Sequence, residues 1–98
     1  MNMQDMLNNS VKAVKLLKAV SNERRLLILC HLLEGELSVG ELNEKLELSQ
    51  SALSQHLALL RQHKLVKTRK SAQTVYYSIS STEAEALIAL LHKLYCSD

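Results

Sequence analysis

A mainly α-helical fold closed by one small β-hairpin is the class this sequence predicts, and three observations carry it. Pro is absent and Gly occurs twice in 98 residues, so helices meet few breakers. Aliphatic residues recur at helical spacing in five stretches, most of them preceded by a Ser, Thr or Asn able to cap a helix. Only between Leu65 and Ile79 does the period fall from about 3.6 to about 2. A chain of this length makes one domain, residues 1–98, whose small core favours association with a second subunit. With three Tyr and no Phe or Trp, that core must be built from Leu, Ile, Val and Ala.

The elements follow in order. Leu7, Val11, Val14 and Leu17 form one stripe and Lys12, Lys15 and Lys18 another, which predicts an amphipathic helix over residues 7–20. Ser21-Asn22 caps a second helix, Glu23 to Leu33, apolar nearly all round, and Gly35 ends it. Ser38-Val-Gly-Glu41 has the capping-box form and opens a short third helix bearing Val39, Leu42 and Leu46. Ser49 caps a fourth, with Leu53, Leu57 and Leu60 inward. Leu65 to Lys70 and Thr74 to Ile79 are two strands joined through Ser71-Ala-Gln73. Thr82-Glu-Ala-Glu85 reads as a second capping box, starting a fifth helix whose Leu87, Ile88, Leu91, Leu94 and Tyr95 are too apolar for a solvated tail.

Charge picks out one surface. Ser49 to Thr82 contains no Asp or Glu but holds Arg61, Lys64, Lys67, Arg69 and Lys70, a local +5 against −3 for the rest of the chain. An acid-free basic surface is the footprint of a polyanion partner. A helix, the turn Glu47-Leu-Ser49, a second helix and a two-stranded ribbon together describe a winged helix-turn-helix that binds double-stranded DNA. The fourth helix is the reader: Ser49, Gln50, Ser51, Ser54 and Gln55 are short or amide side chains suited to base edges in the major groove, with His56 beside them. Arg61, Lys64, Lys67, Arg69 and Lys70 are placed for flanking phosphates, and Gln73 and Thr74 at the wing tip for a minor groove or sugar. The competing reading is a winged helix that docks on protein.

Three stretches, Asn22-Glu-Arg-Arg-Leu-Leu-Ile-Leu29, Glu36-Leu-Ser-Val-Gly-Glu-Leu42 and Leu48-Ser-Gln-Ser-Ala-Leu-Ser-Gln-His-Leu57, resemble the ArsR/SmtB family of dimeric winged-helix regulators. Thr74-Val-Tyr-Tyr77 and Leu90-Leu-His-Lys-Leu-Tyr-Cys96 are similar to one branch of it, activators of haemolysin and other virulence genes. The resemblance implies a homodimer joined through the first and last helices, on an imperfect inverted repeat. It also implies activation by displacing a nucleoid silencer from AT-rich promoters. Many members are metal-responsive repressors, the alternative function. Their Cys-Val-Cys stretch is Ser38-Val39-Gly40 in this chain, and the last helix offers Glu83, Glu85 and His92 without the Asp-x-His start, so no metal site and no cofactor are expected.

Two cysteines are candidates for control. Cys30 lies in the apolar run of the second helix, where free Cys commonly packs as a small hydrophobe. Cys96 ends the fifth, where the helix dipole disfavours thiolate and His92 and Lys93 offset it. Family members with such a pair respond to persulfides or oxidants, so the resemblance implies that Cys30 and Cys96 sense redox state. No enzyme is expected, because Gly-rich phosphate loops, CxxC pairs and nucleophile elbows are missing from the sequence. His31 and His63 have no patterned partners. No apolar stretch is long enough to span a membrane, and Met1 to Met6 lack a signal-peptide pattern, which together predict a cytoplasmic protein.

Overall fold

The computed structural model describes residues 2–96. Its elements run α1 (Met3–Val20), α2 (Glu23–Leu32), β1 (Leu37–Ser38), α3 (Val39–Leu46), α4 (Gln50–Gln62), β2 (Val66–Ser71), β3 (Thr74–Ile79) and α5 (Thr82–Tyr95). The helices begin where short polar side chains can take orphan backbone donors. Asn22 Oδ1 accepts from the N–H groups of Arg24 and Arg25 at 3.0 and 3.1 Å. Ser38 and Glu41 close the expected capping box, and these hydrogen bonds hold the Glu41 carboxyl below its usual pKa. The cap of α5 is Ser81, whose hydroxyl accepts from Ala84 N–H at 3.0 Å, so the box expected at Thr82 and Glu85 does not form. Thr82 instead donates to Glu83.

The sheet has three strands, not two. The order is β1-β3-β2, all antiparallel, with Leu37 opposite Tyr77 and Ser38 opposite Tyr76. A two-residue strand is too short to show any period, so only the third dimension reveals it. The hairpin turn is also tighter than expected, since Ser71 pairs with Thr74 and leaves Ala72 and Gln73 alone to reverse the chain. Ala72 does so at φ 54°, a left-handed conformation that disfavours a Cβ.

Packing centres on α2, which touches α1, α3, α4, α5 and β3. Its Ile28, Leu29 and Leu32 meet Leu42 and Leu46 of α3, Leu53, Leu57 and Leu60 of α4, and Ala84 and Ile88 of α5 in one buried aliphatic cluster. Truncating a side chain such as Leu53 would open a cavity there, which is why the inward leucines of α4 fix that helix firmly on the body. Arg25 fastens α1 to this core: its Nε donates to the Ala19 carbonyl at 2.6 Å, and its Nη2 donates at 3.3 Å to the Lys18 carbonyl, which also accepts from Ser21 N–H. The stripe of α1 has no cover within the chain. Leu7, Val11, Val14 and Leu17 are 63, 66, 46 and 53% exposed. No helix among the described residues is long and apolar enough to cross a membrane.

Candidate nucleic-acid interface

The α3-turn-α4 unit and the β2-β3 wing build the surface. The turn reverses through Glu47 at φ 53°, and Ser49 then starts α4 by accepting from Ala52 N–H at 3.2 Å. Helical spacing with Leu53, Leu57 and Leu60 buried leaves Gln50, Ser51, Ser54 and Gln55 together on the exposed side. Two of the proposed reader residues have other engagements. The Ser49 oxygen is the helix cap and lies 3.4 Å from the Ser51 hydroxyl. His56 is half-buried, and its pKa is pushed down first by that burial and then by Arg25 and Arg24 of α2. It belongs to the seam between α4 and α2 more than to the open face. Arg24 and Arg25, outside the acid-free window, therefore add positive charge near α4 that the sequence reading left out.

Lys64 follows the end of α4 in a defined geometry. Leu65 N–H donates to the Leu60 carbonyl and Lys64 N–H to the Arg61 carbonyl, each at 3.0 Å, which is a Schellman closure with Lys64 in the left-handed position at φ 61°. Glycine fits that position better than any other residue. Lys64→Gly is accordingly expected to stabilise the fold by about 0.5–1 kcal/mol. On DNA the same change is expected to flatten the salt dependence of affinity by about 0.9 per subunit. Thermal melts and binding titrations check the two halves separately.

The wing cations divide between two faces, whereas the sequence reading placed Lys67, Arg69 and Lys70 in one phosphate clamp. Along the sheet, Leu37, Val66, Tyr77 and Ile79 pack toward the core, and strand alternation puts Lys70 on their side. Lys67, Arg69, Tyr76 and Ser78 are on the opposite face. Tyr77 lines an open depression of about 380 Å³ with Val39, Ser54, Ala58, Arg61 and Gln62, so the core-side face of the wing borders the exposed side of α4. Gln73 and Thr74 sit exposed at the tip.

Arg69 is not a free cation. Its Nη2 and Nε donate to both oxygens of Glu36 at 2.7 and 3.0 Å, and its guanidinium stacks 4.5 Å from the Tyr76 ring centre. The ion pair lowers the Glu36 pKa and raises that of Arg69. The window that is acid-free in sequence thus has one acid on it in space. No periodic signal could have announced a partner 33 residues away.

Cys30 is half-buried in α2 and Cys96, the residue after α5, is exposed; both are free thiols. Burial raises the Cys30 pKa, and the charge of Cys96 raises it further. Among the described residues, no three His, Cys, Asp or Glu converge as a metal-holding group.

Comparison with known proteins gives a consistent picture. Residues 22–68 match the family described as bacterial regulatory protein, arsR family. The transcriptional activator HlyU of Vibrio cholerae is 70% identical over 96 residues, covering 98% of this chain and 89% of that protein. Among solved structures, reduced HlyU from Vibrio cholerae superposes with a TM-score of 0.91 at 69% identity over 96% of this chain and 99% of the other. The transcriptional repressor BigR of Xylella fastidiosa superposes at 0.92 with 35% identity, each chain covered in full.

Proposed function

Because the chain belongs to the arsR family of DNA-binding bacterial transcriptional regulators, we propose that it works as a cytoplasmic homodimer and reads an imperfect inverted repeat with its two α4 helices. It is a regulator, not an enzyme. The observation that carries the reading is the exposed face of α4: Gln50, Ser51, Ser54 and Gln55 stand clear of the body, with Arg61 and Lys64 beyond them and no Asp or Glu within the helix. Amides and hydroxyls on that face select bases, while Arg61, Lys64 and Lys70 take phosphates and set the register. The HlyU relative is a transcriptional activator, and this chain takes the same direction of control. Its targets are AT-rich promoters of haemolysin-type virulence genes, where binding displaces a nucleoid silencer.

Control of the DNA-binding state resides in Cys30 and Cys96. The free, half-buried thiol of Cys30 on α2 and the free, exposed thiol of Cys96 at the end of α5, which packs on α2, support this. With a peroxide oxidant, the Cys96 thiolate attacks oxygen and becomes a sulfenic acid as hydroxide leaves; the Cys30 thiol then displaces water and forms the disulfide. With a hydropersulfide, each cysteine thiolate takes the outer sulfur of one molecule and releases its thiol; one cysteine persulfide then attacks the cysteine sulfur of the other and expels hydrosulfide, leaving a trisulfide. The linked form holds the end of α5 against α2, the helix on which α4 packs, and binds DNA less well.

Fluorescence anisotropy on promoter fragments at one stated salt concentration tests both parts. Reduced protein is expected to bind tightly, and protein treated with hydropersulfide at least about tenfold more weakly, a change of about 1.4 kcal/mol. Cys30→Ser/Cys96→Ser is expected to bind like reduced protein under either treatment. A double variant that still responds removes the cysteines from the account, and release on metal addition irrespective of thiol state replaces it with metal sensing.

A further inference from the structure

The wing holds an ion pair that DNA recognition by basic residues alone leaves unexplained. Arg69 carries the charge expected of a phosphate contact, yet two of its nitrogens are bonded to Glu36 and its flat face is against Tyr76. Glu36 immediately precedes β1, and β1 leads directly into α3, the first helix of the helix-turn-helix. The pair therefore ties the outer strand of the sheet, β2, to the root of the reading unit across β3. It is reinforced on the same face by the register: Ser38, Tyr76 and Arg69 lie opposite one another on β1, β3 and β2. Lys67 adds a further attraction for Glu36. Lys70, one residue from Arg69, points to the other side of the sheet, the side that borders Ser54 and Arg61 of α4 through Tyr77.

We propose that Glu36 and Arg69 are positioning residues of the DNA interface: their ion pair, stacked on Tyr76, sets the pitch of the wing so that Lys70, not Arg69, meets the phosphate backbone. The acid on the basic surface is then a strut and not a competitor for DNA. A bidentate Arg–carboxylate pair with an aromatic floor has the fixed geometry such a strut requires, and a lysine in place of Arg69 would not supply it. Both side chains lie at the surface, 56 and 35% exposed for Arg69 and Glu36, so removing them leaves the core untouched.

The inference rests on the DNA-binding reading, and the experiment separates the two. A duplex selected by the wild-type protein from a random-sequence pool is titrated over a range of salt with wild type, Glu36→Ala, Arg69→Ala, the double variant and Lys70→Ala. Melting curves confirm that each remains folded. Glu36→Ala and Arg69→Ala are each expected to weaken binding about two- to fivefold, the range of a well-formed exposed ion pair. The double variant is expected to lose no more than either single one, because both remove the same interaction. The salt slope is expected to fall by about 0.9 per subunit for Lys70→Ala, and to fall by one shared amount, no larger than that, in Glu36→Ala, Arg69→Ala and the double variant, because each of these acts only through Lys70. Tighter binding by Glu36→Ala, or a slope lowered by about 0.9 per subunit in Arg69→Ala but unchanged in Glu36→Ala, would make Arg69 a phosphate contact and overturn the proposal. If the wild type selects no duplex, the DNA reading fails first and takes this inference with it.

Discussion

Val11→Glu combined with Leu17→Glu is expected to convert the protein from dimer to monomer and to weaken operator binding by at least about 100-fold. One face of α1 is left bare within the chain. Leu7, Val11, Val14 and Leu17 recur at helical spacing along α1 and are all at least 46% exposed, and Leu90, Leu94 and Tyr95 of α5 are 51, 64 and 82% exposed. Apolar side chains this concentrated on two helices mark an interaction surface. Stable subunit contacts bury on the order of 800 Å² from each partner, an area that two such helix faces can supply. Glutamate is a better helix former than valine, so the substitutions leave α1 helical and remove only the contact. A monomer engages one half-site, and the gain from the second half-site, bound at high effective concentration, is lost. Sedimentation equilibrium reads the first effect and anisotropy the second. A variant that remains dimeric would place the interface elsewhere.

Much of this architecture is legible in the residues because local signals agree with the global fold. Asn22, Ser38 with Glu41, and Ser49 cap the helices they were expected to cap, and Leu53, Leu57 and Leu60 are buried as their spacing requires. Strand β1 and the acid on the basic surface both depend on contacts distant in sequence. Strand β1 exists because Leu37 and Ser38 find Tyr77 and Tyr76 across the sheet. Glu36 reaches the basic surface for the same reason. The capping of α5 by Ser81 rather than Thr82 is a different case. Two adjacent hydroxyl residues offered equivalent local chemistry, and Ser80, held by its hydroxyl on the Lys64 carbonyl and its N–H on the Leu65 carbonyl, fixes where the chain turns into the helix. The splitting of Lys67, Arg69 and Lys70 was readable in principle, since strand alternation separates neighbours. What the sequence could not supply was which face met α4.

The second large effect concerns specificity. Gln50→Ala with Gln55→Ala is expected to remove most discrimination between operator and unrelated duplex, because each amide that pairs with a base edge contributes about 1–3 kcal/mol of selectivity. Both side chains are exposed on α4 and hydrogen-bonded to nothing within the described residues, so their loss costs the fold little. Arg61, Lys64 and Lys70 remain, and with them the sequence-independent attraction to phosphate. The variant is therefore expected to bind all duplexes about as the wild type binds a non-operator one.

The salt dependence of duplex binding, measured side by side for wild type and Gln50→Ala/Gln55→Ala, tests the central claim most directly. If α4 reads bases while Arg61, Lys64 and Lys70 of each subunit grip phosphates, both proteins give a slope of log affinity against log salt near about −5. Only the wild type then prefers its operator. A slope near zero in the wild type, or a preference that survives the loss of both glutamines, would contradict the assignment of this face to DNA.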